Sequence, residues 1–424
     1  MPHNIRGFYK GIKMLAFGSL SARLVGLALI PILTRLYTPE DYGALSVFSS
    51  LILIISPLLT LRYVTAIPLP KSDMAAVVVV LISVFSILLF SLLLLFVFLG
   101  LHDYIFVLLN VYDYVQFWFL IPLACFLVSF YEVLNMWAVR KRNYKALMNV
   151  SFFQAIAGEG VKVSAGLLGL TKIGLIIGFA VSQSAGIFYL LQALSPTFLK
   201  GLKFVSLKRL LIIVKYYSGY PFYRMPSQLL LLLASQSPLL FFSFKYGVEA
   251  TGQFSLSLMA IVLPMNLIGQ AISKAYYAEI ASIGREGIQE VMTLTIDLQK
   301  KLLILGAPIA ALLYFLAEPL FPLLFGPAWE VAGVYVSILS MYLLTQFTSA
   351  PLMQVFNLFN MQGKYLLINI VRIFSLVGVY FCVLIFDVSE MWFVKIYSVS
   401  MFLFYLLITI YVLVFLKRKE KGID

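Results

Sequence analysis

Arg23, Arg62, Arg224 and Arg372 each lie inside a long run of apolar residues. A charged side chain at the centre of a bilayer costs roughly 2.5–3.5 kcal/mol on insertion scales, so each is a candidate for a specific task. The guanidinium is planar, always charged and forked, which matches it to phosphate or carboxylate. Arg23 sits about ten residues, or roughly 15 Å, into its run. Its helical neighbours Ser19, Ala22 and Gly26 make a small, polar face suited to a cavity. Arg224 lies between Pro221 and Pro226. Prolines free backbone carbonyls and bend a helix, as at the wall of an aqueous cavity. Arg62 and Arg372 stand nearer the ends of their runs, where a long side chain can also reach the interface. Together the four predict a cationic, substrate-binding cavity for an anionic ligand such as a phosphate or diphosphate.

The acidic residues are fewer. Glu159 and Lys162 are three apart, on one helical face, and can pair. Glu132 is isolated in sequence, and a carboxyl in such a place is usually protonated or paired. Glu159, Lys162 and Glu132 are therefore candidates for ion coupling, with internal neutralisation the competing expectation. Gly174, Gly178, Ser182 and Gly186 recur every four residues, a strip for close helix packing. Cys125 and Cys382 lie in apolar runs, and His3 and His102 do not cluster with them, so no metal and no cofactor is expected.

The elements that must hold these groups follow from composition. Of 424 residues, 62% are hydrophobic and 12% are charged, whereas a soluble domain carries about 25% charged residues. Such a chain needs lipid as its solvent. Apolar runs fall near 13–33, 44–67, 75–99, 117–138, 147–169, 174–194, 217–241, 254–274, 302–322, 333–358, 366–386 and 392–415. Each must be helical, since a barrel needs alternating strands of about ten residues. The expected fold is an all-α integral membrane protein of about twelve transmembrane helices at ~20 residues per span. No cleavable signal peptide is expected, because the first run leads straight into a charged turn and another span.

Charge sets the orientation. Twenty-two of the 31 basic residues fall in segments 1–13, 71, 140–145, 200–215, 274–301, 364 and 417–421, against Arg35, Lys172 and Lys245 on the opposite side. The positive-inside rule then places both termini in the cytoplasm. The net charge of +13 marks topology, and no nucleic-acid partner is needed to explain it. The chain also reads as a tandem repeat: Glu40-Asp41-Tyr42-Gly43 opens the second run, and Glu249-Ala250-Thr251-Gly252 opens the eighth. The predicted organisation is a six-helix bundle over 1–194, a basic cytoplasmic linker over 195–216 and a second bundle over 217–424. Two parallel lobes around a central cavity would result.

The residues also resemble a family. Gly18-Ser19-Leu20-Ser21-Ala22-Arg23-Leu24-Val25-Gly26 runs on into Pro31-Ile32-Leu33-Thr34-Arg35-Leu36-Tyr37-Thr38-Pro39-Glu40-Asp41-Tyr42-Gly43. This is similar to the start of the Wzx-like polysaccharide-biosynthesis flippases, a branch of the multidrug/oligosaccharidyl-lipid/polysaccharide exporter superfamily. Ala271-Ile272-Ser273-Lys274-Ala275-Tyr276-Tyr277, Phe325-Gly326-Pro327-Ala328-Trp329 and Gln362-Gly363-Lys364 resemble later turns of the same family. The resemblance implies flipping of undecaprenyl-diphosphate-linked repeat units for O-antigen, capsule or related polymers at a bacterial plasma membrane. Its implied partners are the lipid-linked anionic oligosaccharide, membrane lipid and other polysaccharide-assembly proteins.

Two other classes compete. A polymerase or ligase of the same pathway would need a catalytic site on a sizeable outer loop. The longest here, 100–116, offers only His102, Asp103 and Asp113, so no enzyme is expected. A cation-coupled multidrug exporter shares the architecture but would want carboxylates where this sequence offers arginines.

Overall fold

The computed structural model describes residues 5–192, 205–359 and 361–421, and these form helices joined by short turns, with no strand. The helices are α1 (Ile5–Leu36), α2 (Pro39–Leu59), α3 (Asp73–Leu108), α4 (Leu120–Arg140), α5 (Tyr144–Leu167) and α6 (Thr171–Ser184). They continue as α7 (Leu207–Tyr216), α8 (Met225–Tyr246), α9 (Val248–Ile283), α10 (Ile288–Phe325), α11 (Glu330–Ser349), α12 (Gln362–Phe386) and α13 (Glu390–Glu420). Of the expected linker 195–216, residues 195–204 lie outside the described residues.

Among the described residues, nine helical stretches are long and apolar enough to cross a membrane. The other three expected spans coincide with α1, α5 and α9. Two of these are the helices that carry Arg23 and the Glu159–Lys162 pair. In α5 the charged pair lowers the apolarity of the helix.

Turn chemistry explains several boundaries. Thr38 caps α2, accepting from the Asp41 N–H, while the Asp41 carboxylate accepts from the Thr38 N–H. Pro39 occupies the first turn, where no N–H partner is needed. Gly247 stops α8 with φ +89° and Gly326 stops α10 with φ +106°, a region of backbone that a side chain disfavours. The second expected span, 44–67, ends early: α2 stops at Leu59 and a 3-10 turn follows at Tyr63–Ala66. Pro57 in its last turn makes this the natural place to leave the helix.

The chain divides into two compact units, Met1–Gly252 and Gln253–Asp424. In the first, α2, α3 and α4 share a core that includes Phe48, Ile52, Val77, Ile121, Cys125 and Trp137, all essentially buried. Helix α1 runs parallel to α5. A Cβ at Gly18 would meet Met148, one at Gly166 would meet Leu36 and Tyr37, and Gly26 lies near Glu159 between them. Helix α8 joins this unit as well. Ser50 Oγ donates to Gln236 Oε1 at 3.1 Å, and Asn110 Nδ2 donates to the carbonyls of Ser243 and Phe244 at 3.1 and 2.8 Å. The seventh span thus packs with the helices before it. The six-plus-six division concerns the sequence repeat, which is a different property from compactness.

The repeated turns touch. A Cβ built on Gly43 would lie 1.8 Å from the Val248 carbonyl oxygen, and one on Gly252 would lie 1.7 Å from that of Pro39. Only glycine allows either approach.

In the second unit, α10 packs along α11, where a Cβ on Gly333 would meet the Ala317 carbonyl at 2.7 Å. The Gln253 amide joins two turns, donating to the Ala328 carbonyl at 2.6 Å and accepting from the Ala332 N–H at 3.0 Å. Helix α13 closes on α11 through Ser398 Oγ, which donates to the Ile338 carbonyl at 2.8 Å.

Candidate functional site

Arg62 is reached through irregular backbone. Leu61 and Arg62 are both left-handed, with φ +46° and +59°, a conformation that is strained for side chains bearing a Cβ. Thr60 Oγ1 accepts the Arg62 N–H at 3.2 Å and Thr65 Oγ1 donates to its carbonyl at 2.8 Å. Held this way, the guanidinium meets Glu132 Oε1 at 3.1 Å, with the side chains 15% and 27% exposed. A predicted cavity cation and a predicted coupling carboxylate are therefore partners.

The second pair is as the spacing suggested. Lys162 Nζ donates to Glu159 Oε1 at 2.7 Å, and both side chains are nearly buried. The Tyr37 hydroxyl donates to the Lys162 carbonyl at 2.6 Å. The small-residue strip on α6 serves packing, since a Cβ on Gly158 would come within 2.4 Å of Ser182 Cβ. It also makes room for polar groups. A Cβ on Gly174 would strike the Tyr37 hydroxyl, and one on Gly178 would strike Lys162 Cγ, each at 2.3 Å. Both pairs are incompletely satisfied: Arg62 Nε and Glu159 Oε2 are buried with no hydrogen-bond partner among the described residues.

Arg23 differs. It is half-buried on α1, and no carboxylate among the described residues pairs with it. Arg224 ends a π-helical turn, Tyr220–Arg224, in which the Met225 N–H reaches back to the Tyr220 carbonyl. The broken helix expected from Pro221 and Pro226 is thus one wide turn, and Arg224 itself is exposed. The 3-10 turn after Arg62 packs against this π turn, so the segments of two predicted cations meet.

Arg372 belongs to the second unit and has a different environment. Its guanidinium lies 5.9 Å from the Tyr405 ring centroid, with Tyr342, Tyr380 and Tyr397 also around it. Phe393 and Tyr397 stack at 6.0 Å beside this cluster. Ring faces attract a cation electrostatically. Arg372 Nε is buried without a hydrogen-bond partner among the described residues.

Arg140 escaped the sequence reading because it belongs to a basic loop. It is only 10% exposed and binds Asp73 Oδ1 through Nε and Nη2 at 3.1 and 3.0 Å. Its Nη1 reaches the carbonyls of Pro68 and Pro70 at 3.2 and 2.7 Å, and Lys141 Nζ takes Asp73 Oδ2 at 2.5 Å. The signal was Pro68-Leu69-Pro70 ahead of Ser72-Asp73, a turn rich in unpartnered carbonyls. Among the described residues no group of three or more His, Cys, Asp or Glu has metal-site geometry.

A family model described as "Polysaccharide biosynthesis protein" matches residues 32–333, well over half of the chain. No curated protein sequence matches significantly. Among solved structures, the chain resembles the lipid II flippase MurJ in an inward closed conformation. That likeness has a TM-score of 0.72 and 12% identity, over 94% of this chain and 87% of the other. It also resembles an inward-facing multidrug resistance MATE family transporter of the MOP superfamily, at TM-score 0.63 and 14% identity over 96% and 94%. An outward-facing MATE transporter gives 0.58 and 14% over 97% and 96%. At these identities the likeness is one of fold, an all-helical one with several helices long and apolar enough to cross a membrane.

Proposed function

The chain belongs to the polysaccharide biosynthesis protein family, and on that premise we propose that it is a flippase for a polyprenyl-diphosphate-linked oligosaccharide. It works in a bacterial plasma membrane, takes its substrate from the inner leaflet, and keeps both termini in the cytoplasm. The observation that carries the reading is the charge left over inside the spans. Glu132 and Glu159 are each taken by a basic partner, whereas Arg23 and Arg372 face no carboxylate among the described residues. Spans with cationic groups to spare favour an anionic ligand, and the forked guanidinium suits a diphosphate. A cation-coupled drug exporter would need a buried carboxylate free for its ligand, and the one further carboxylate in the apolar runs, Glu318, is exposed near the end of α10. Family and fold likewise favour a transporter over an enzyme.

Arg23 contacts the diphosphate in this proposal. Arg23→Ala abolishes translocation of a fluorescent polyprenyl-diphosphate sugar in proteoliposomes at normal protein level, and Arg23→Lys restores it in part. Undiminished transport by Arg23→Ala sinks the assignment. Transfer of resistance to cationic dyes on expression would support the exporter instead.

Driving force follows from the substrate's charge. About two negative charges moving outward gain ~2.3 kcal/mol each per 100 mV, on the order of 4–5 kcal/mol in all. That approaches the ~5.5 kcal/mol that moves a two-state equilibrium from 1:99 to 99:1. An imposed potassium-diffusion potential without a pH gradient should therefore drive flipping. Flipping that ignores the potential, follows a pH gradient and vanishes in Glu159→Gln would replace this with proton antiport. Orientation is tested by single cysteines in a Cys125→Ser, Cys382→Ser background. An impermeant maleimide should label position 168 on intact cells and spare position 208.

A further inference from the structure

The second unit holds a cavity of about 810 Å³ that none of the foregoing uses. It lies where the turn between α9 and α10, the start of α12 and the last turns of α13 come together. Arg285, Lys364, Arg418 and Lys419 line it, and among the described residues no carboxylate does. Glu286 and Glu420 adjoin two of these cations in sequence and are absent from its wall.

Two of the cations are held in place by groups that leave most of their donors unspent. Arg285 Nε donates to the Leu358 carbonyl at 2.7 Å, which fixes the guanidinium while its other N–H groups remain to be satisfied. Lys364 Nζ stands 5.2 Å from the Phe415 ring centroid and 5.8 Å from that of Tyr411. A ring face steadies an ammonium without neutralising it. Phe359 packs edge-on against Phe415 at 5.3 Å and completes an aromatic floor.

The position of this pocket indicates its occupant. It opens at the end of the unit that carries the basic loops, the end proposed above as cytoplasmic. From its rim an apolar ridge continues along α13 at helical spacing: Val414, Tyr411, Leu407 and Leu403 are all exposed. A soluble anion would use the cations and leave that ridge bare. A lipid uses both, with its phosphate among the cations and its chains along the ridge. We infer that this pocket is a binding site for the phosphate headgroup of an anionic phospholipid in the adjoining leaflet.

The test is native mass spectrometry of the full chain released from bilayers of mixed phosphatidylglycerol and phosphatidylcholine. The wild type should retain phosphatidylglycerol with a preference of about tenfold, the scale expected when two or more basic groups meet an anionic headgroup. Lys364→Gln/Arg418→Gln should lose that preference, since both side chains are exposed and their removal spares the core. Lys274→Gln/Lys300→Gln removes the same charge from α9 and α10 outside the pocket and should keep it. Equal retention by the pocket variant, or equal loss in the control, overturns the assignment to this site. Displacement of the lipid by millimolar inorganic phosphate overturns the lipid as occupant and makes the pocket a soluble-anion site.

Discussion

The two units stabilise buried cations by different chemistry. In the first, Arg62 and Lys162 each meet a carboxylate, at 3.1 and 2.7 Å. In the second, Arg372 sits among tyrosines with its guanidinium over a ring. An ion pair is directional and all-or-none: remove one member and the other is a bare charge in a poor solvent. A tyrosine cluster is graded, because the Tyr405 face adds a modest attraction and its loss leaves the other tyrosines around the cation. The first unit should therefore be brittle at its charges and the second tolerant.

The largest effect tests the brittle side. Glu132→Ala strands Arg62 and should destabilise the protein by about 3–5 kcal/mol, read as a lower melting temperature in detergent. Adding Arg62→Met should recover most of that loss, because the pair as a whole contributes far less than either member alone. If the single variant melts like wild type, the ion pair is not what holds the first unit's turn, and the contrast fails.

A middle-sized effect probes the room made for Lys162. Gly178→Ala places a methyl against the Lys162 stem, where 2.3 Å is available, and overpacking of this kind costs about 1–3 kcal/mol. Gly160→Ala, on the facing helix with open space around its Cβ position, should cost nothing and gains helix propensity. Equal melting of the two variants would show that the strip serves neither packing nor the ion pair. The smallest effect tests the tolerant side. Tyr405→Leu removes one ring face from Arg372 and should cost about 0.5–2 kcal/mol, well under the Glu132→Ala loss. An equal or larger loss would mean that Arg372 depends on a single partner after all.

How much of this was legible in the sequence depends on range. Apolar runs mark the helices because each run is local, and Glu159–Lys162 is visible because three residues along a helix is one face. Arg62–Glu132 is not, since the partners are seventy residues apart and only the left-handed turn after α2 aims one at the other. The tyrosines around Arg372 come from positions 342, 380, 397 and 405, each ordinary in an aromatic-rich chain. Arg140 was hidden by its neighbours: among four basic residues in six, no spacing tells the one that turns inward. The motif at Gly43 and Gly252 was legible as a repeat, but that the two copies meet was not.

That meeting has a consequence for genetics. Gly43 approaches the carbonyl of Val248, and Gly252 approaches that of Pro39; each pair is the other shifted by 209 positions. Contact of i with j and of j with i is the signature of an isologous two-fold seam, here closed within one chain. A side chain at either glycine wedges the same seam apart. Once Gly43→Ala has separated the turns, Gly252→Ala finds the space already open and adds little. The two lesions should therefore show strong positive epistasis, the double variant no worse than the sicker single, where distant sites would simply add.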